Sequence, residues 1–380
     1  MSEIVIKVVL NKKDRKAFVM FPFHLYAGNP YWVPPIIADE LDDLNPKKNP
    51  AFEYAESRQW LAYEDNKVVG RIAGIKHNFE FEDERLIRFG WIDFVDNEEV
   101  SSKLIEAVEH WANEQGAVAI HGPMGFNDFD FEGMLVEGFD SIATIATIYN
   151  HPYYKNHLDK LGFEKSVDWL EFEYAFGEQY KIPERLQKLS RYVSKKYGFN
   201  LVDLKKKKDL LNFFDKFFFA VNESYKLLYG YYKLTEAEGL RLKNKFFKFL
   251  SLKYLSGVVN EHGDIVAFAI TMPSLSKAFK KANGRLFPFG FIHILWAIRT
   301  CKEVDLYLIG ALPEYQEKGV SSMVFLDISE KFINEGVKTL RFNPTLEDHG
   351  KLLGNWGSIF GDSFLKHDNI KRRRCFKKVL

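Results

Sequence analysis

Apolar residues recur along this chain with two different spacings, and the spacing switches many times. Alternating or nearly continuous apolar residues predict β-strands, whereas apolar residues at every third or fourth position predict helices. In the first half the resulting order is strand, helices, hairpin, strand, helix, strand, helix and strand. The strands predicted there cover residues 4–10, 57–63, 67–76, 86–94, 117–121 and 167–176.

The same order is predicted a second time after a candidate linker at residues 179–184. Pro183 suits the start of a new helix, because proline is favoured in the first helical turn. The later strands are predicted at residues 200–204, 252–260, 265–272, 304–312 and 339–343, with final strands reaching residue 380. We therefore expect an α/β protein with mixed sheets, built from two tandem domains at residues 1–178 and 179–380, because 380 residues suffice for two cores.

Residues 304–335 join a strand, a short turn and a helix. The strand is predicted to stop at Pro313, and helical spacing then runs from Val320 to Phe332, with Gly319 in the turn between them. The first turn of a helix has N–H groups without intrahelical partners and carries the positive end of the dipole. A glycine there lets the backbone approach a bulky anion. The junction therefore predicts a cradle for a pyrophosphate group.

This junction resembles the acyl-CoA loop of the GNAT acyltransferase superfamily, which reads Gln or Arg, two residues, Gly, one residue, and Gly or Ala. Gln316 and Gly319 match, and Ser321 takes the second small position as a departure. The alternative is an ordinary strand–helix connection. By element order the resemblance covers most of the chain, whereas by motif it is confined to residues 305–325. Residues 159–163 are similar to the usual ending of a GNAT domain.

The resemblance implies two tandem GNAT-like domains that use acetyl-CoA or another acyl-CoA as cosubstrate. It places the oxyanion donor among the strand N–H groups of residues 309–312. It also implies that pantetheine lies along the end of the strand, at Gly310, Ala311 and Leu312. The pyrophosphate group would bind the following loop and the first turn of the helix, at Gln316, Lys318, Gly319, Val320, Ser321 and Ser322.

The sequence offers three candidates for the catalytic base instead of one. Asp305 and Tyr307 share one face of the strand and would reach a substrate amine directly or through a water molecule. The alternative for Asp305 is a solvated carboxylate at the strand end. Glu347 follows the next strand and is the third candidate, although a carboxylate there would also cap the following helix.

The last helix lacks the tyrosine that commonly serves GNAT proteins as general acid. Asn355 or Trp356 stands at the comparable place. His349 stands where many members have asparagine, and it would contact pantetheine or lie on the surface. The resemblance therefore leaves protonation of the leaving thiolate without an assigned residue.

The first half lacks the phosphate loop. Its strand at 86–94 runs into the following helix through residues 95–99, VDNEE, which contain no glycine and three acids. Carboxylates at this place would repel a pyrophosphate group. We therefore expect a degenerate first domain that does not bind CoA in the usual way, and an acyl-CoA site in the second.

Two further stretches are candidates for substrate binding. The acidic loop residues Asp128, Asp130 and Glu132 would receive a cationic amine, gather as an oxygen cluster, or simply be solvated. The insertion at residues 285–299, RLFPFGFIHILWAIR, is too apolar to stay in water. We expect it to pack into the core or to line an apolar acyl or substrate pocket with His293 and Trp296.

The composition of the chain excludes several other classes of protein. The net charge of +1 excludes a global field that attracts nucleic acid. Two isolated cysteines give neither a zinc site nor a disulfide framework, which favours the reducing cytoplasm. No uncharged apolar run approaches the roughly 18 residues of a membrane span. The basic residues 371–374 are predicted to form a charged edge strand.

These observations favour an acyl-CoA-dependent N-acyltransferase that needs no metal. Acetyl transfer to a small-molecule or peptide amine, by direct attack, is the first hypothesis. If the protein is an enzyme, the alternative reaction is transfer of an aminoacyl or long-chain acyl group. If it is not an enzyme, the alternative is a non-catalytic acyl-CoA-binding or regulatory protein. The sequence does not specify an oligomeric state.

Overall fold

The computed structural model describes residues 3–177, 180–246, 250–348, 350–360 and 370–380. Two residues of the predicted boundary between domains, 178 and 179, therefore lie outside the described part. The strands are β1 (Val5–Val8), β2 (Ala55–Glu64), β3 (Lys67–His77), β4 (Leu86–Phe94), β5 (Ala119–Gly122), β6 (Met134–Glu137), β7 (Glu164–Ala175), β8 (Asn200–Leu201), β9 (Leu255–Val259), β10 (Ile265–Pro273), β11 (Glu303–Ala311), β12 (Thr339–Leu346) and β13 (Lys371–Val379).

Helices alternate with these strands, as the changes of spacing predict. They are α1 (Lys12–Leu25), α2 (Ile37–Asp43), α3 (Asn78–Glu84), α4 (Glu98–Gln115), α5 (Tyr153–Lys160), α6 (Glu184–Tyr197), α7 (Lys207–Tyr225), α8 (Glu236–Phe246), α9 (Ser276–Ala282), α10 (Gly290–Thr300), α11 (Pro313–Gln316), α12 (Ser321–Glu335) and α13 (Gly350–Phe360). The predicted α/β class with mixed strand pairing is confirmed.

The chain divides into two compact units. The first contains Met1–Leu170, Leu275–Ile294 and Lys371–Leu380, and the second contains Glu171–Ser274 and Leu295–Ile370. The units thus take segments from both halves of the sequence, and the division into GNAT-like domains at 1–178 and 179–380 stays a prediction.

The first unit is built on a sheet in the order β1-β2-β3-β4-β5-β13, with β6 also paired with β13. Helix α4 covers this sheet with the apolar stripe expected from its sequence, and Val100, Leu104, Val108 and Trp111 are all buried. The helix ends where Gly116 adopts a left-handed conformation with φ of 75°. Strand β6 lies inside the stretch 122–140, which was expected to be entirely loop.

The prediction that residues 371–374 form a charged edge strand is wrong. Strand β13 pairs with β6 through Arg372–Arg374 and with β5 through Phe376–Val379. Arg373 is fully buried and donates to the carbonyl of Ile148 at 2.6 Å. Arg374 donates to the buried carboxylate of Asp168 at 2.8 Å. Carbonyl and carboxylate groups that are distant in sequence but close in space therefore bind the guanidinium groups that suggested an exposed edge.

The second unit contains the sheet order β12-β11-β10-β9-β8. Helix α12 packs against α6, β9 and β10, and helix α7 packs against β10 and β11. Thr235 and Glu238 exchange hydrogen bonds at the start of α8, and they form a capping box. In the described residues, no helix is long and apolar enough to cross a membrane.

Candidate active site

Strands β11 and β12 separate halfway along their length. They pair in parallel from Glu303 and Thr339 to Leu306 and Phe342. Both strands continue beyond that point, and β11 stays paired with β10 as far as Ala311. Among the described residues, the edge of β11 that faces away from β10 has no neighbouring strand after Leu306. The backbone groups on that edge face the gap that β11 and β12 leave within the second unit, which is called the cleft below.

A β-bulge at Tyr307 coincides with the separation. Ile270 faces Leu308 and Thr271 faces Leu306, which leaves Tyr307 as the extra residue of β11. A bulge of this kind bends its strand and redirects a side chain. Gly310 has a different role, because a Cβ atom there would lie 2.7 Å from the ring of Phe268. The glycine thus permits close packing, one of the two reasons expected for it.

Two polar atoms at the point of separation have no hydrogen-bond partner among the described residues. They are the hydroxyl of Tyr307 and Oδ1 of Asn343, and both atoms are buried. The side-chain amide of Asn343 donates weakly to the carbonyl of Tyr307, at 3.5 Å. Sequence analysis did not identify Asn343, although its position before Pro344 at a strand end was a usable signal. Unpartnered buried polar atoms are uncommon and point to a ligand.

The hydroxyl of Tyr225 occupies the unpaired edge of β11. It accepts from the N–H of Ile309 and donates to the carbonyl of Ile309, each at 3.2 Å. Tyr225 is the last residue of α7, and nothing in the sequence pattern connected it with this strand. Ile309 falls in the stretch where the oxyanion donor is expected, so this hydroxyl occupies one of the amides that a ligand in the cleft would contact.

The loop between α11 and α12 has the backbone expected of a phosphate cradle. Gly319 adopts φ of 75°. No backbone hydrogen bond of the described residues starts from the N–H of Val320 or Ser321. Lys318 and Ser321 are half-buried, whereas Val320 is buried. The amides therefore retain their capacity to donate, within a loop that is partly covered by protein.

Side chains of the same loop are already engaged. The amide of Gln316 donates to the carbonyl of Ala311 at 3.0 Å. The hydroxyl of Ser322 donates to the carbonyl of Gly319 at 2.7 Å, and α12 has no side-chain cap at its first turn. The ammonium of Lys318 lies 4.4 Å from the centre of the Tyr315 ring. Lys318 is the side-chain cation that this loop itself contributes.

The three candidate bases differ in their access to the cleft. Asp305 is fully buried, and one carboxylate oxygen lies 3.9 Å from Nη1 of Arg341. Burial and the nearby carboxylate of Asp305 raise the pKa of Tyr307 well above its usual value. Tyr307 therefore stays a phenol near neutral pH, which excludes it as a base there, and the same shift makes it a weaker acid than an ordinary tyrosine. Glu347 is half-buried in the turn after β12.

Trp356, one of the two residues at the place of the usual acidic tyrosine, does not line this cleft. Trp356 is buried with its ring centre 4.5 Å from that of Phe342, so it belongs to the core. His349 lies outside the described residues.

The acidic loop of the first unit is folded onto itself. Asp130 accepts from the backbone N–H of Phe126 at 2.8 Å, which closes the turn. Asp128 and Glu132 share a hydrogen bond; burial raises the pKa of Asp128 to about 6 and the pKa of Glu132 well above its usual value. The three side chains therefore do not present three free charges. Within the described part of the chain, no group of His, Cys, Asp or Glu is arranged to hold a metal ion.

The expectation that the insertion at 285–299 would be removed from water is wrong. His293 is half-buried, and Trp296 is 64% exposed. Helix α10 buries only one side, through residues such as Ile294 and Ala297. Its other side faces solvent, and a role of His293 and Trp296 in substrate binding stays a prediction.

The first unit has a similar separation of strands. Pairing of β4 with β5 ends at Arg88 and His121. Beyond it, the N–H of Phe94 donates to the hydroxyl of Tyr154 at 2.9 Å, and the hydroxyl of Tyr153 donates to the carbonyl of Phe94 at 2.6 Å. In both units, therefore, tyrosine hydroxyls bind backbone groups of a strand beyond the point where its parallel pairing ends.

Comparison with known proteins finds two relatives that are similar over most of this chain. No family model matches the sequence. Protein YghO of Escherichia coli K12 is 28% identical over 330 residues, which cover 86% of this chain and 83% of that protein. Bacterial ceramide synthase of Caulobacter vibrioides is 25% identical over 323 residues, which cover 83% of this chain and 82% of that protein.

Two solved structures resemble the fold. A tandem GNAT protein from the clavulanic acid biosynthesis pathway superposes with a TM-score of 0.55 at 11% identity, over 99% of this chain and 98% of that chain. The glucosamine N-acetyltransferase region of a fungal multi-domain β-N-acetylglucosaminidase gives a TM-score of 0.56 at 11% identity, over 100% of this chain and 38% of that chain. The predicted resemblance is confirmed at the level of fold: this chain has the tandem fold of the GNAT acyltransferases.

Proposed function

We propose that this protein is an acyl-CoA-dependent N-acyltransferase whose cosubstrate binds in the second unit. One observation carries the proposal: β11 parts from β12 after Leu306, beside a loop whose Val320 and Ser321 amides are free to donate. An open strand edge next to an anion cradle suits an elongated molecule with a diphosphate at one end. Acyl-CoA has this form, and it would supply an activated thioester.

The groups present fit such a molecule. The amides of Val320 and Ser321, with the ammonium of Lys318, would hold the pyrophosphate. Pantetheine would run along Gly310–Leu312, where β11 has no partner on the β12 side. The N–H of Ile309 would donate to the oxyanion that forms when an amine attacks the thioester carbonyl.

Acid and base roles follow from burial and protonation. Tyr307, kept as a phenol by burial and by Asp305, would donate a proton to the leaving thiolate. Asp305 would act through Tyr307 and Arg341, since its fully buried carboxylate has no path to an amine. Glu347, half-buried after β12, remains the candidate base that would take a proton from the acceptor's ammonium group, so that the neutral amine attacks the thioester.

For the acyl group and its acceptor we favour long chains over the acetyl group of our first hypothesis. The relative named bacterial ceramide synthase supports this choice, because a ceramide is an N-acylated long-chain amine. The similarity covers 83% of this chain. We therefore propose transfer of a long-chain acyl group from CoA to the amino group of a sphingoid-like base.

The test is release of CoA thiol from acetyl-CoA and palmitoyl-CoA, with sphinganine and with small polar amines as acceptors. We expect turnover with palmitoyl-CoA and sphinganine and a mass increase of the amine product. Turnover only with acetyl-CoA would overturn the long-chain assignment. Tight acyl-CoA binding without turnover on any amine would favour the non-catalytic alternative.

A pair of variants tests the loop itself. Gly319→Glu adds a carboxylate at the cradle, and Gly162→Glu adds the same group at another glycine with positive φ, which has open space around it. We expect the first variant to lose CoA binding, measured by calorimetry, and the second to retain it. Equal CoA affinities in the two variants would contradict the loop assignment.

A further inference from the structure

The protein presents a large apolar surface on one short segment. Between Arg285 and Thr300, six large apolar side chains face solvent instead of the core. They are Phe287 (77% exposed), Phe289 (69%), Phe291 (38%), Ile292 (50%), Leu295 (50%) and Trp296 (64%). Contiguous apolar surface of this kind is rare on a protein that stays in water, and it marks an interaction site.

The exposed side chains form one side of one helix and the loop before it. In α10 the residues Phe291, Ile292, Leu295 and Trp296 follow helical spacing, while Ile294 is buried on the opposite side. The helix is therefore apolar all round, although only one side packs against protein. Other exposed residues such as Leu10 and Leu227 are separated along the sequence, and isolated ones need no explanation.

The charged residues near this apolar surface indicate what kind of partner it binds. No Asp or Glu occurs between Asp264 and Glu303, whereas the same stretch contains six cations. They are Lys277, Lys280, Lys281, Arg285, Arg299 and Lys302. Lys281, Arg285 and Arg299 are exposed, whereas the ammonium of Lys280 donates to the carbonyl of Asn29 and that of Lys302 to the carbonyl of Glu335. The whole chain has a net charge of only +1, so this stretch without acids is more basic than the chain as a whole. An apolar helix face flanked by lysine and arginine is typical of helices that lie in the interface of an anionic membrane.

We propose that residues 277–302, the apolar-basic segment, dock this protein onto a bilayer that contains anionic phospholipids. Phe287, Phe289 and the outer side of α10 enter the headgroup region, and the exposed cations Lys281, Arg285 and Arg299 remain at the phosphates. Helix α10 has 11 residues, too few to span a bilayer, so it lies in the plane of the interface. A symmetric dimer through this segment would bring these cations against their copies, which disfavours a second copy as the occupant.

The experiment is co-sedimentation of the full chain with vesicles, without acyl-CoA, so that it is independent of the acyl-transfer proposal. One set of vesicles is pure phosphatidylcholine, and the other contains roughly one third phosphatidylglycerol. We expect binding to the anionic vesicles, weakening as salt is raised, and little binding to the neutral ones.

Two pairs of variants locate the surface. Phe287→Ser with Phe289→Ser should weaken binding at least about tenfold, while Leu10→Ser with Leu227→Ser, at exposed sites elsewhere, should not. Lys281→Glu with Arg285→Glu should also weaken it, while Lys47→Glu with Lys195→Glu should not. All of these residues are exposed, so melting temperatures are expected to match wild type.

Three outcomes would overturn the proposal. The first is no binding of wild type to anionic vesicles. The second is equal binding by the Phe287/Phe289 variant and its control. The third is a wild-type dimer in sedimentation velocity that the Phe287/Phe289 variant abolishes, since the segment would then join two copies.

Discussion

The hydroxyl of Tyr225 lies 3.2 Å from both the amide nitrogen and the carbonyl oxygen of Ile309. One side chain thus satisfies both backbone groups at a place where β11 has no partner strand on that side. Without it, the N–H and the carbonyl would face the cleft unpaired, which is costly unless a water molecule or ligand replaces the hydroxyl. In the proposed enzyme, the hydroxyl stands where the acyl carbonyl would be received.

Tyr225→Phe should therefore tighten acyl-CoA binding. Removing the hydroxyl frees the Ile309 amide, and a lost hydrogen bond of about 1 kcal/mol corresponds to roughly fivefold in Kd. Calorimetric titration with palmitoyl-CoA measures the change, and Tyr192→Phe, at an exposed position, serves as control. An unchanged Kd with a large fall in kcat would instead make Tyr225 the proton donor.

The substitution Tyr307→Phe distinguishes a catalytic role of Tyr307 from a structural one. The buried hydroxyl has no hydrogen-bond partner in the described part of the chain, so its removal should leave the free energy of unfolding unchanged or slightly raised. If it protonates the thiolate, kcat should fall by 10² or more, within the usual range of about 10² to 10⁴ for general acid–base catalysis. Chemical denaturation and thiol release are the two measurements. A destabilised variant with full activity would assign Tyr307 a structural role.

The strand–turn–helix pattern of residues 304–335 was readable because each part has its own periodic signal. Strand β4 and helix α4 have the predicted limits, since Asn97 caps the helix and Gly116 ends it. Local sequence thus predicted the elements, and their repeated order predicted the tandem GNAT fold.

The features that sequence missed all depend on distant partners. Tyr225 and Ile309 are 84 residues apart, and no local pattern connects them. Arg373 looked like a solvent-exposed charge because its partner carbonyl, that of Ile148, is 225 residues away. The apolar insertion was expected to pack into a core. Hydrophobicity predicts that a side chain will be removed from water, but it does not predict which surface will cover that side chain. The candidate site residues accordingly remain predictions.

Glu132→Gln should stabilise the protein increasingly as pH rises. Burial and Asp128 raise the pKa of Glu132, so between its ordinary pKa near 4.5 and the raised value the folded state binds more protons than the unfolded state. Stability of wild type therefore falls as pH rises through this range. Glutamine keeps a hydrogen-bond donor without this penalty.

We expect the advantage of Glu132→Gln to be small at pH 4 and to reach on the order of 1 kcal/mol at pH 8. Urea unfolding at several pH values measures it. Glu82→Gln, an exposed control, should show no trend. An advantage that is independent of pH would contradict the raised pKa of Glu132.

Arg88→Met should be among the most destabilising single substitutions in the first unit. Arg88 is fully buried and contacts both carboxylate oxygens of Glu80, at 2.7 and 3.1 Å. Although burial alone would raise the pKa of Glu80, Arg88 and His121 hold it well below its usual range. Without Arg88 a buried carboxylate loses its main counter-charge, which costs about 3–5 kcal/mol.

Arg58→Met is the matched control, because Arg58 meets Glu114 at 3.5 Å with both side chains more than 40% exposed. An exposed pair contributes about 0–1 kcal/mol, so the control should change little. The deficit of Arg88→Met should shrink as pH falls toward 4, because protonation removes the uncompensated charge of Glu80. Urea unfolding of both variants at pH 5 and pH 8 measures these differences. A deficit near that of Arg58→Met would mean that Glu80 is neutral or solvated in the folded protein.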